Sequence, residues 1–536
     1  MAKMKTGKSS RRQRGFGMES GKPRSSQPQA SDRLLLYATV TVTGAVVMMI
    51  EILGTRVIGP FYGVSLFVWS ALISVTMIAL ALGYFLGGVL ADRSRRFQLS
   101  HALMLAALST VLVPVLARPI LEITNQLGVR LGSFASALLL FGAPLTFLAM
   151  TGPFVIKLAF GRDDTVGITS GSVYAISTLG SVLGTLALGF YLLPAMGSRA
   201  IVYGIGIGLW LLAGGLSWYE FRRLGRAFRP ARLIFSAAIL AGVLAGAGKA
   251  AGNVGDDYRL LFQTESVYGR IQVIDDLKRG IRWMLADSST ISGMHLASGK
   301  SVLSYQSVVR KLPRFRPRVR DALLIGLGGG HLANDFTRQG LQTDIIEIDP
   351  AVARSAQDFF GFRPPGELWI GDARYQVRRI GKRYDLIVHD CFTGGSEPVH
   401  LLSLEMLEDL RARLRPGGIL AVNMVGFLAG PQRAAVDAVY RTLARVFAHT
   451  MTLVSDPGVN FNDLVFVASE RPIENDAAEI DYRFARWLSD HRFPLHPKEG
   501  FLITDDYNPL ESLQVGKAEA YRALLIQRIG ADVLLW

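Results

Sequence analysis

Cysteine is almost absent from this chain: among its 536 residues, Cys391 is the only one. A single thiol excludes an internal disulfide and argues against a cysteine-based metal site. The sequence also lacks a Walker-type phosphate loop, and no element alternates arginines with aromatic side chains. We therefore expect no metal, and nothing in the composition indicates a nucleic-acid partner.

Acidic residues are outnumbered by basic ones, 43 Asp and Glu against 58 Lys and Arg, which gives a net charge of +15. Much of the basic excess lies in the N-terminal tail and in short loops between apolar runs. Charge in those places is typical of a protein oriented in a membrane. Residues 1–33 are too long and too polar for an ordinary secretory signal, so we predict a retained, disordered tail.

Long apolar runs fill the first half of the chain. Half of all residues are hydrophobic, and the mean hydropathy is +0.30. Six runs approach or exceed the roughly 20 residues that a helix needs to cross a bilayer. A seventh run, 233–248, either crosses as well or lies in the membrane interface. We predict a transmembrane domain of six or seven helices over residues 34–250. The six long runs are 34–57, 67–91, 101–122, 133–159, 169–193 and 200–218.

Orientation follows from Lys and Arg in the loops, because cytoplasmic loops are enriched in both. The tail, residues 93–96, residues 157–162 and the run 222–232 are the basic segments. We therefore predict a multi-pass protein of the cell (inner) membrane with a cytoplasmic N-terminus. The domain that follows lies outside if 233–248 crosses, and in the cytoplasm if it does not. Glu51 in the first run is either a ligand- or ion-contacting group or a structural partner, as in a pair with Arg56.

From Tyr258 the pattern changes to short apolar strands separated by helical segments. A hairpin is predicted over 268–285, because two alternating runs flank the turn Asp275–Gly280. The alternation that follows predicts a Rossmann-like parallel sheet with helices on both faces, within a domain over 258–536. The predicted strands are 323–325, 343–348, 368–370, 386–389 and 419–423, and the predicted helices are 331–339, 351–359 and 403–413.

Polar and glycine residues follow the predicted strands, where a parallel sheet binds its ligands. Glycines form the turn after the first strand, and Glu347 ends the second strand about 20 residues later, as in sites that bind ribose hydroxyls. Asp372 follows the third strand and can accept from an adenine amino group. Asp390 ends the fourth strand, either at the ligand cleft or as a helix N-cap. Cys391 beside it is a weaker candidate, as a nucleophile. The glycines are Gly326, Gly328, Gly329 and Gly330.

Taken together, these segments resemble the spermidine synthase (polyamine aminopropyltransferase) family, and most closely its membrane-fused branch. The resemblance covers roughly Thr264 to Leu513. The matching segments are VYGRIQV (267–273), GLGGG (326–330), EIDP (347–350), GDA (371–373), HDCFTGGSEPVHLL (389–402), LRPGGIL (414–420) and TDDYNPLE (504–511).

The resemblance implies a methyltransferase-type fold that binds decarboxylated S-adenosylmethionine on the glycine turn. It implies Glu347 at the ribose, Asp372 at the adenine and Asp390 as the base or amine-orienting acid. Asp349 and Ala373 belong to the same donor-binding segments. The acceptor would be an amine or polyamine, and a membrane lipid and a second copy of the chain are further expected partners. The candidate acceptor contacts are Tyr268, Asp287, His331, Tyr305 and Asp505.

Three positions depart from the soluble enzymes of that family. His331 stands where an Asp is usual, Thr393 where a second acid is usual, and the Asp-Gly…Gln segment reads Asp287-Ser288…Ile291. Each lost group helps to hold a polyamine or the aminopropyl amine. An S-adenosylmethionine-dependent methyltransferase or related enzyme with a membrane-borne acceptor is therefore the second interpretation. A transporter or sensor of polyamines or nucleosides is the third.

Overall fold

The computed structural model describes residues 30–63, 65–94, 96–160, 165–225, 230–250, 257–287, 289–392, 397–473, 482–497 and 500–530. The predictions for most of the basic tail, for Ser288 and for Thr393 lie outside the described residues.

Helices occupy the first half of the described chain. Five helical stretches are long and apolar enough to cross a membrane. One of them, Leu99–Ala159, contains α3 and α4, which pack against each other. The last helix has a shorter apolar stretch, Pro230–Gly246. The helices are α1 (Ala30–Tyr62), α2 (Leu66–Arg93), α3 (Leu99–Thr124), α4 (Gly128–Ala149), α5 (Thr151–Ala159), α6 (Val166–Ala187), α7 (Leu193–Ala195), α8 (Ser198–Leu224) and α9 (Pro230–Ala250).

Glycines let several of these helices approach each other closely. A Cβ added at Gly184 of α6 would lie 2.7 Å from the Cα of Ala45 in α1. A Cβ added at Gly87 of α2 would lie 2.8 Å from the Cα of Met150, between α4 and α5. Small residues at such crossings are typical of helices that pack in lipid.

The strand-rich half begins with a small antiparallel sheet of four described strands. They are β1 (Tyr258–Glu265), β2 (Arg270–Asp276), β3 (Ile281–Ala286) and β4 (Ser289–His295), in that order. The predicted hairpin corresponds to β2 and β3, so the sheet is larger than the sequence pattern indicated. The neighbouring strands β1 and β4 are half-buried and alternate less clearly, which explains why they were not predicted.

Seven described strands form the second sheet, in the order β10-β11-β9-β8-β5-β6-β7. Five strands are parallel, as predicted, but β10 and β11 run antiparallel to their neighbours. The connection between β10 and β11 is only a few residues long, whereas a parallel crossover needs a dozen or more. The strands are β5 (Asp321–Ile325), β6 (Gln342–Glu347), β7 (Leu368–Ile370), β8 (Tyr384–His389), β9 (Leu414–Phe427), β10 (His449–Val454) and β11 (Phe461–Ser469).

Helices cover both faces of this sheet, which gives a Rossmann-like, methyltransferase-type fold. Successive residues of a strand enter opposite cores: Leu324 packs in one and Leu323 in the other. The helices are α10 (Tyr305–Val309), α11 (His331–Arg338), α12 (Pro350–Phe359), α13 (Ala373–Arg379), α14 (Leu404–Ala412), α15 (Ala434–Val446), α16 (Tyr482–His491), α17 (Leu510–Leu513) and α18 (Val515–Ile529). Strand β5 lies between β6 and β8, so the order of strands reverses there, and a ligand site is expected at its carboxyl end.

Three glutamates of the strand-rich half cap three helices of the first half. Glu511 accepts from the backbone N–H of Leu66 at 2.6 Å, and Glu519 accepts from that of Val129 at 3.1 Å. Glu265 accepts from the backbone N–H of Ser198 at 2.8 Å. A carboxylate at a helix N-terminus satisfies free N–H groups and complements the helix dipole, each contact being worth about 0.3–1 kcal/mol. The helices α2, α4 and α8 therefore all begin at the end of the bundle that faces the sheets.

Several basic residues that the structure describes lie at the other end of the bundle. Lys157 near the end of α5 pairs with Asp92 near the end of α2, at 3.0 Å. Arg223 near the end of α8 lies 3.7 Å from Asp32 at the start of α1. Helix α9 also begins there, where Arg232 contacts His101 of α3.

Candidate active site

A cavity of about 710 Å³ opens at the carboxyl edge of the large sheet. Strand ends, the small sheet and helix α18 all contribute to its wall. Ten of the candidate residues from the sequence line it: Tyr268, Tyr305, Gly326, Gly328, Glu347, Asp349, Asp372, Ala373, Asp390 and Cys391. Within the described part of the chain, the other predicted residues lie outside the lining; they are Gly329, Gly330, Asp287, His331 and Asp505.

The glycine turn after β5 brings two strand ends together. Gly326 has φ +96°, a conformation that side chains disfavour, and a Cβ there would collide with the carbonyl oxygen of Asp390. The backbone N–H of Asp390 in turn donates to the carbonyl oxygen of Ile325 at 2.8 Å. Glycine is therefore required for the approach of two backbones, in addition to any approach of a ligand.

Glu347 ends β6 as a buried carboxylate at the cavity wall. Its Oε2 accepts from the backbone N–H of Leu327 at 3.0 Å, and its Oε1 accepts from that of Asp349 at 3.0 Å. Burial raises the pKa of Glu347 to about 7, although these two backbone donors favour the ionised form. The carboxylate is thus held rigidly, with lone pairs available to further donors such as ribose hydroxyls.

Asp349 and Asp372 both cap helices. Asp349 Oδ1 accepts from the N–H of Ala351 at 2.8 Å, and its Oδ2 accepts from the Ser266 hydroxyl at 2.6 Å. Asp372 Oδ1 accepts from the N–H of Tyr375 at 2.9 Å, while its Oδ2 lies 3.2 Å from His400 Nε2. Each side chain shapes the turn that faces the cavity, and each lies in its lining.

Asp390 is held by two donors at the centre of the cavity wall. The Tyr305 hydroxyl donates to its Oδ2 at 2.7 Å, and the Asn423 amide donates to its Oδ1 at 2.9 Å. Burial raises the pKa of the Asp390 carboxyl, and the two donors oppose that rise. A carboxylate that is fixed in orientation and has a raised pKa is suited to accept a proton from a bound amine.

The structure adds Asp463, which was not predicted, to the same cavity. Asp463 lies on β11, its pKa is raised to about 6 mainly by burial, and the nearby charge of Asp390 raises it further. An acid that interrupts the apolar run 461–469 was the available signal. It could not be assigned to the site without knowing that β11 lies beside β9.

Two amide oxygens in the lining have no hydrogen-bond partner among the described residues. They are Oε1 of Gln306 and Oδ1 of Asn423. Only 8% of Gln306 and 6% of Asn423 is exposed, so each oxygen is withdrawn from bulk water. Buried acceptors are normally satisfied, so these two oxygens are exceptions at this end of the cavity.

The remaining predicted contacts lie away from Asp390. The Asp287 carboxylate accepts from the N–H of Arg270 at 2.9 Å. His331 Nδ1 lies 3.4 Å from the Ser292 hydroxyl, and Asp505 is paired with Arg374. The structure therefore gives these three side chains positions outside the cavity wall, whereas Tyr268 and Tyr305 lie in it.

Cys391 lies in the lining but is unsuited to be a nucleophile. Its Sγ is 3.4 Å from the carbonyl oxygen of Ile325. Burial and the neighbouring carboxylates raise the pKa of the thiol well above its ordinary value. Because the thiolate is the reactive form, this environment suppresses nucleophilic chemistry.

Helix α18 closes the cavity from the side of the bundle. Tyr521 lines the cavity, and its hydroxyl lies 2.9 Å from that of Thr290. The helix is anchored by a buried ion pair between Lys517 and Glu397. Glu397 also accepts from the backbone N–H of Val425 in β9 at 3.1 Å, so α18 is tied directly to the large sheet.

The strand order, the glycine turn and the buried carboxylates at the strand ends are typical of nucleoside-binding transferases with a Rossmann-like fold. No family model matches this chain. The chain is 30% identical over 270 residues to the N-terminal histidine N-methyltransferase of Emericella nidulans. This alignment covers 45% of this chain and 48% of that protein. It is 35% identical over 116 residues to the polyamine aminopropyltransferase of Vibrio vulnificus, covering 20% of this chain and 39% of that protein.

Among solved structures, the spermidine synthase of Thermotoga maritima aligns with a TM-score of 0.35 and 18% identity, over 48% of this chain and 84% of that chain. Both relatives are named as transferases, one a histidine N-methyltransferase and the other a polyamine aminopropyltransferase. Each of the two sequence matches spans less than half of the relative's own length.

Proposed function

We propose that this protein is a membrane-bound transferase that moves an alkyl group from an S-adenosylmethionine-type sulfonium donor to an amine. The observation that carries the proposal is the Asp390 carboxylate, which Tyr305 and Asn423 fix in the same cavity as Glu347. One carboxylate suits a nucleoside and the other suits an amine. No metal is required, because a sulfonium is already an activated leaving group.

The donor nucleoside is assigned to the part of the cavity beside Glu347. The Glu347 carboxylate would accept from both ribose hydroxyls, and Gly326 and Gly328 would pass close beneath the ribose. The turn of Asp372 and Ala373 would contact the adenine. All five residues line the cavity, which supports this arrangement.

The transfer proceeds at the part of the cavity beside Asp390. The amine nitrogen attacks the carbon bonded to the sulfonium sulfur, a C–N bond forms, and the C–S electron pair remains on sulfur as a neutral thioether. The nitrogen gives up a proton, which Asp390 accepts. Free aliphatic amines have a pKa of about 10, so such a base is useful at neutral pH. A positioned base contributes about 10²–10⁴-fold to rate, and alignment of the two reactants can contribute more.

An aminopropyl group from the decarboxylated donor is the first candidate for the transferred group. A methyl group from S-adenosylmethionine is the second, because the relative named as a histidine N-methyltransferase matches a longer part of this chain than the relative named as an aminopropyltransferase. The nucleoside product separates the two. We expect methylthioadenosine from aminopropyl transfer and S-adenosylhomocysteine from methyl transfer, resolved by mass after incubation with each donor.

We also propose that the helices α1 to α9 form a membrane domain and that the catalytic half lies outside the cytoplasm. The basic segments lie at the end of the bundle opposite the sheets, and they are expected in the cytoplasm. Helix α9 begins at the basic end, and its 21 residues would extend about 31 Å, enough to reach the other side. This orientation supports a crossing by the run 233–248.

Cysteine labelling in intact cells tests the orientation, because a Cys391→Ala background leaves no other thiol. We expect a membrane-impermeant maleimide to label Lys278→Cys, in the turn between β2 and β3, without cell lysis. Phe160→Cys, at the basic end of α5, should be labelled only after lysis. Both side chains are exposed in the protein. The reverse pattern would contradict the proposed orientation.

A further inference from the structure

Helix α18 separates the active-site cavity from the end of the helical bundle. One face of α18, with Tyr521 and Leu524, lines the cavity. On the opposite face, Glu519 caps α4, and the Arg522 guanidinium lies 5.1 Å from the centre of the Tyr62 ring. A helix with its side chains is roughly 10 Å across, so the cavity lies about one helix diameter from the bundle.

The rim of the cavity has exposed apolar side chains next to the end of the helical bundle that faces the sheets. Val267 is 51% exposed and Tyr268 is 46% exposed, and Tyr268 lines the cavity. The carbonyl oxygen of Val267 accepts from the guanidinium of Arg56 in α1. The rim therefore lies at the level where the helices of the bundle end, which is where lipid headgroups are expected if the bundle spans a bilayer.

Charges of both signs line the acceptor end. Asp390 and Asp463 provide negative charge, and the exposed Arg528 of α18 provides positive charge to the same cavity. Arg528 interacts electrostatically with Asp463. A free diamine carries positive charge only, so an arginine in the wall opposes its binding. An amine that carries a phosphate a few bonds away complements both the acids and the arginine.

The amide oxygens of Gln306 and Asn423 complete the amine end. Both oxygens lack a partner among the described residues, and both side chains are more than nine-tenths buried. A primary ammonium group offers three N–H donors, enough for these two oxygens and one carboxylate. A quaternary ammonium offers none.

We propose that the acceptor is the primary amine of a zwitterionic lipid headgroup in the bilayer, and this inference rests on the proposed transfer. The headgroup is an amino alcohol that is joined to the lipid through a phosphodiester. The ammonium binds at Asp390, Gln306 and Asn423, and the phosphate lies toward Arg528. One ammonium proton passes to Asp390, and the neutral amine then attacks the transferred carbon while the donor C–S bond breaks and its electron pair stays on sulfur. The lipid becomes a secondary ammonium, and a neutral thioether nucleoside leaves.

The test compares acceptors with the full-length protein in phosphatidylcholine vesicles. One sample contains added phosphatidylethanolamine, a second contains soluble 1,4-diaminobutane, and a third contains soluble phosphoethanolamine, with the accessible amine matched. We expect nucleoside product to form at least tenfold faster with phosphatidylethanolamine than with either soluble amine. Phosphatidylcholine alone should give only background, because its headgroup nitrogen carries no proton.

Arg528→Gln provides the second arm. We expect it to raise KM for phosphatidylethanolamine about tenfold with little change in kcat, and to raise the rate with 1,4-diaminobutane, whose binding the arginine opposes. Arg318→Gln, an exposed arginine on the segment that precedes β5, is the matched control and should change neither value. Diaminobutane as the faster acceptor, or an equal KM effect of R528Q on both acceptors, would contradict the inference. Absence of nucleoside product from every acceptor would instead contradict the proposed transfer.

Discussion

Asp390→Asn lowers the turnover number by about a thousandfold and leaves the affinity for the donor nucleoside unchanged. The amide keeps the size of the carboxyl and can still accept from Tyr305, but it cannot take a proton from the amine. A positioned base contributes about 10²–10⁴-fold, which sets the expected loss. Turnover is measured from nucleoside release, and affinity from calorimetric titration with methylthioadenosine.

Asp358→Asn is the matched control for this substitution. Asp358 is exposed on α12, outside the cavity lining, and undergoes the same chemical change. It should leave both measurements at wild-type values. If D390N retained wild-type turnover, Asp390 would not be the base. If D390N lost donor binding as well, its effect would be on the shape of the cavity rather than on proton transfer.

Glu347→Gln weakens binding of methylthioadenosine by about a hundredfold. Hydrogen bonds to a charged group are worth about 1.5–3 kcal/mol each, and the ribose would donate two of them. In glutamine, an NH2 group replaces one of the two carboxylate oxygens. That NH2 would face the backbone N–H of either Leu327 or Asp349, which would then lack its acceptor. The exposed Glu367→Gln, just before β7, is the matched control and should bind normally.

The pH dependence of the same titration identifies Glu347 independently. Its pKa is raised by burial from 4.5 to about 7, so the carboxyl is mostly protonated at pH 6 and mostly ionised at pH 8. Affinity for the ribose should rise with pH, by up to about tenfold per unit below pH 7, and then level off. E347Q should lack this rise. An identical rise in E347Q would assign it to another group.

Stability of the free protein should change in the opposite direction. The folded state binds a proton at Glu347 more tightly than the unfolded state does. The stability from that group is therefore fully present below about pH 4.5 and is lost as the pH rises through about 7. The proposed donor site should thus lose this stabilising contribution over the same pH range in which its affinity is expected to rise.

The parallel strands and the edge of the sheet at the cavity were predictable, because short apolar runs end in, or are closely followed by, a glycine or an acidic residue. Glu347 ends β6 and Asp390 directly follows β8, and these two strands flank β5 in the sheet. Strands that are buried on both faces have little variation in hydrophobicity, so their ends stand out. The direction of β10 and β11 was not predictable in the same way, because a continuous apolar run does not reveal which way it pairs.

The acceptor end of the cavity depends on contacts between distant parts of the chain. Asp463 becomes a neighbour of Asp390 only when β11 pairs with β9. Arg528 lies on α18, and nothing in the sequence of that helix indicates that it lines the cavity. His331, which the resemblance suggested as an acceptor contact, follows the glycine turn on the side of Ser292. Asp463 thus brings a carboxylate to the cavity from another strand, and Arg528 brings a positive charge from a helix.

The helices of the first half were predictable in outline, because they correspond to long apolar runs of the sequence. The contacts that their side chains make were less predictable. Arg56 was considered as a partner of Glu51, yet its guanidinium donates to the carbonyl oxygen of Val267 in the other half of the chain. The three glutamates that cap α2, α4 and α8 are ordinary surface acids in the sequence, and they acquire a role only where the two halves meet.

We propose above that this cavity transfers a group from a sulfonium nucleoside to an amine. The most direct measurement is mass spectrometry of the nucleoside formed when the purified protein, in lipid vesicles with an amine acceptor, is supplied with decarboxylated S-adenosylmethionine. We expect methylthioadenosine to accumulate with time in the wild type and to be nearly absent in D390N. An intact donor in both samples, with S-adenosylmethionine also unchanged in a parallel incubation, would show that the protein does not perform this transfer.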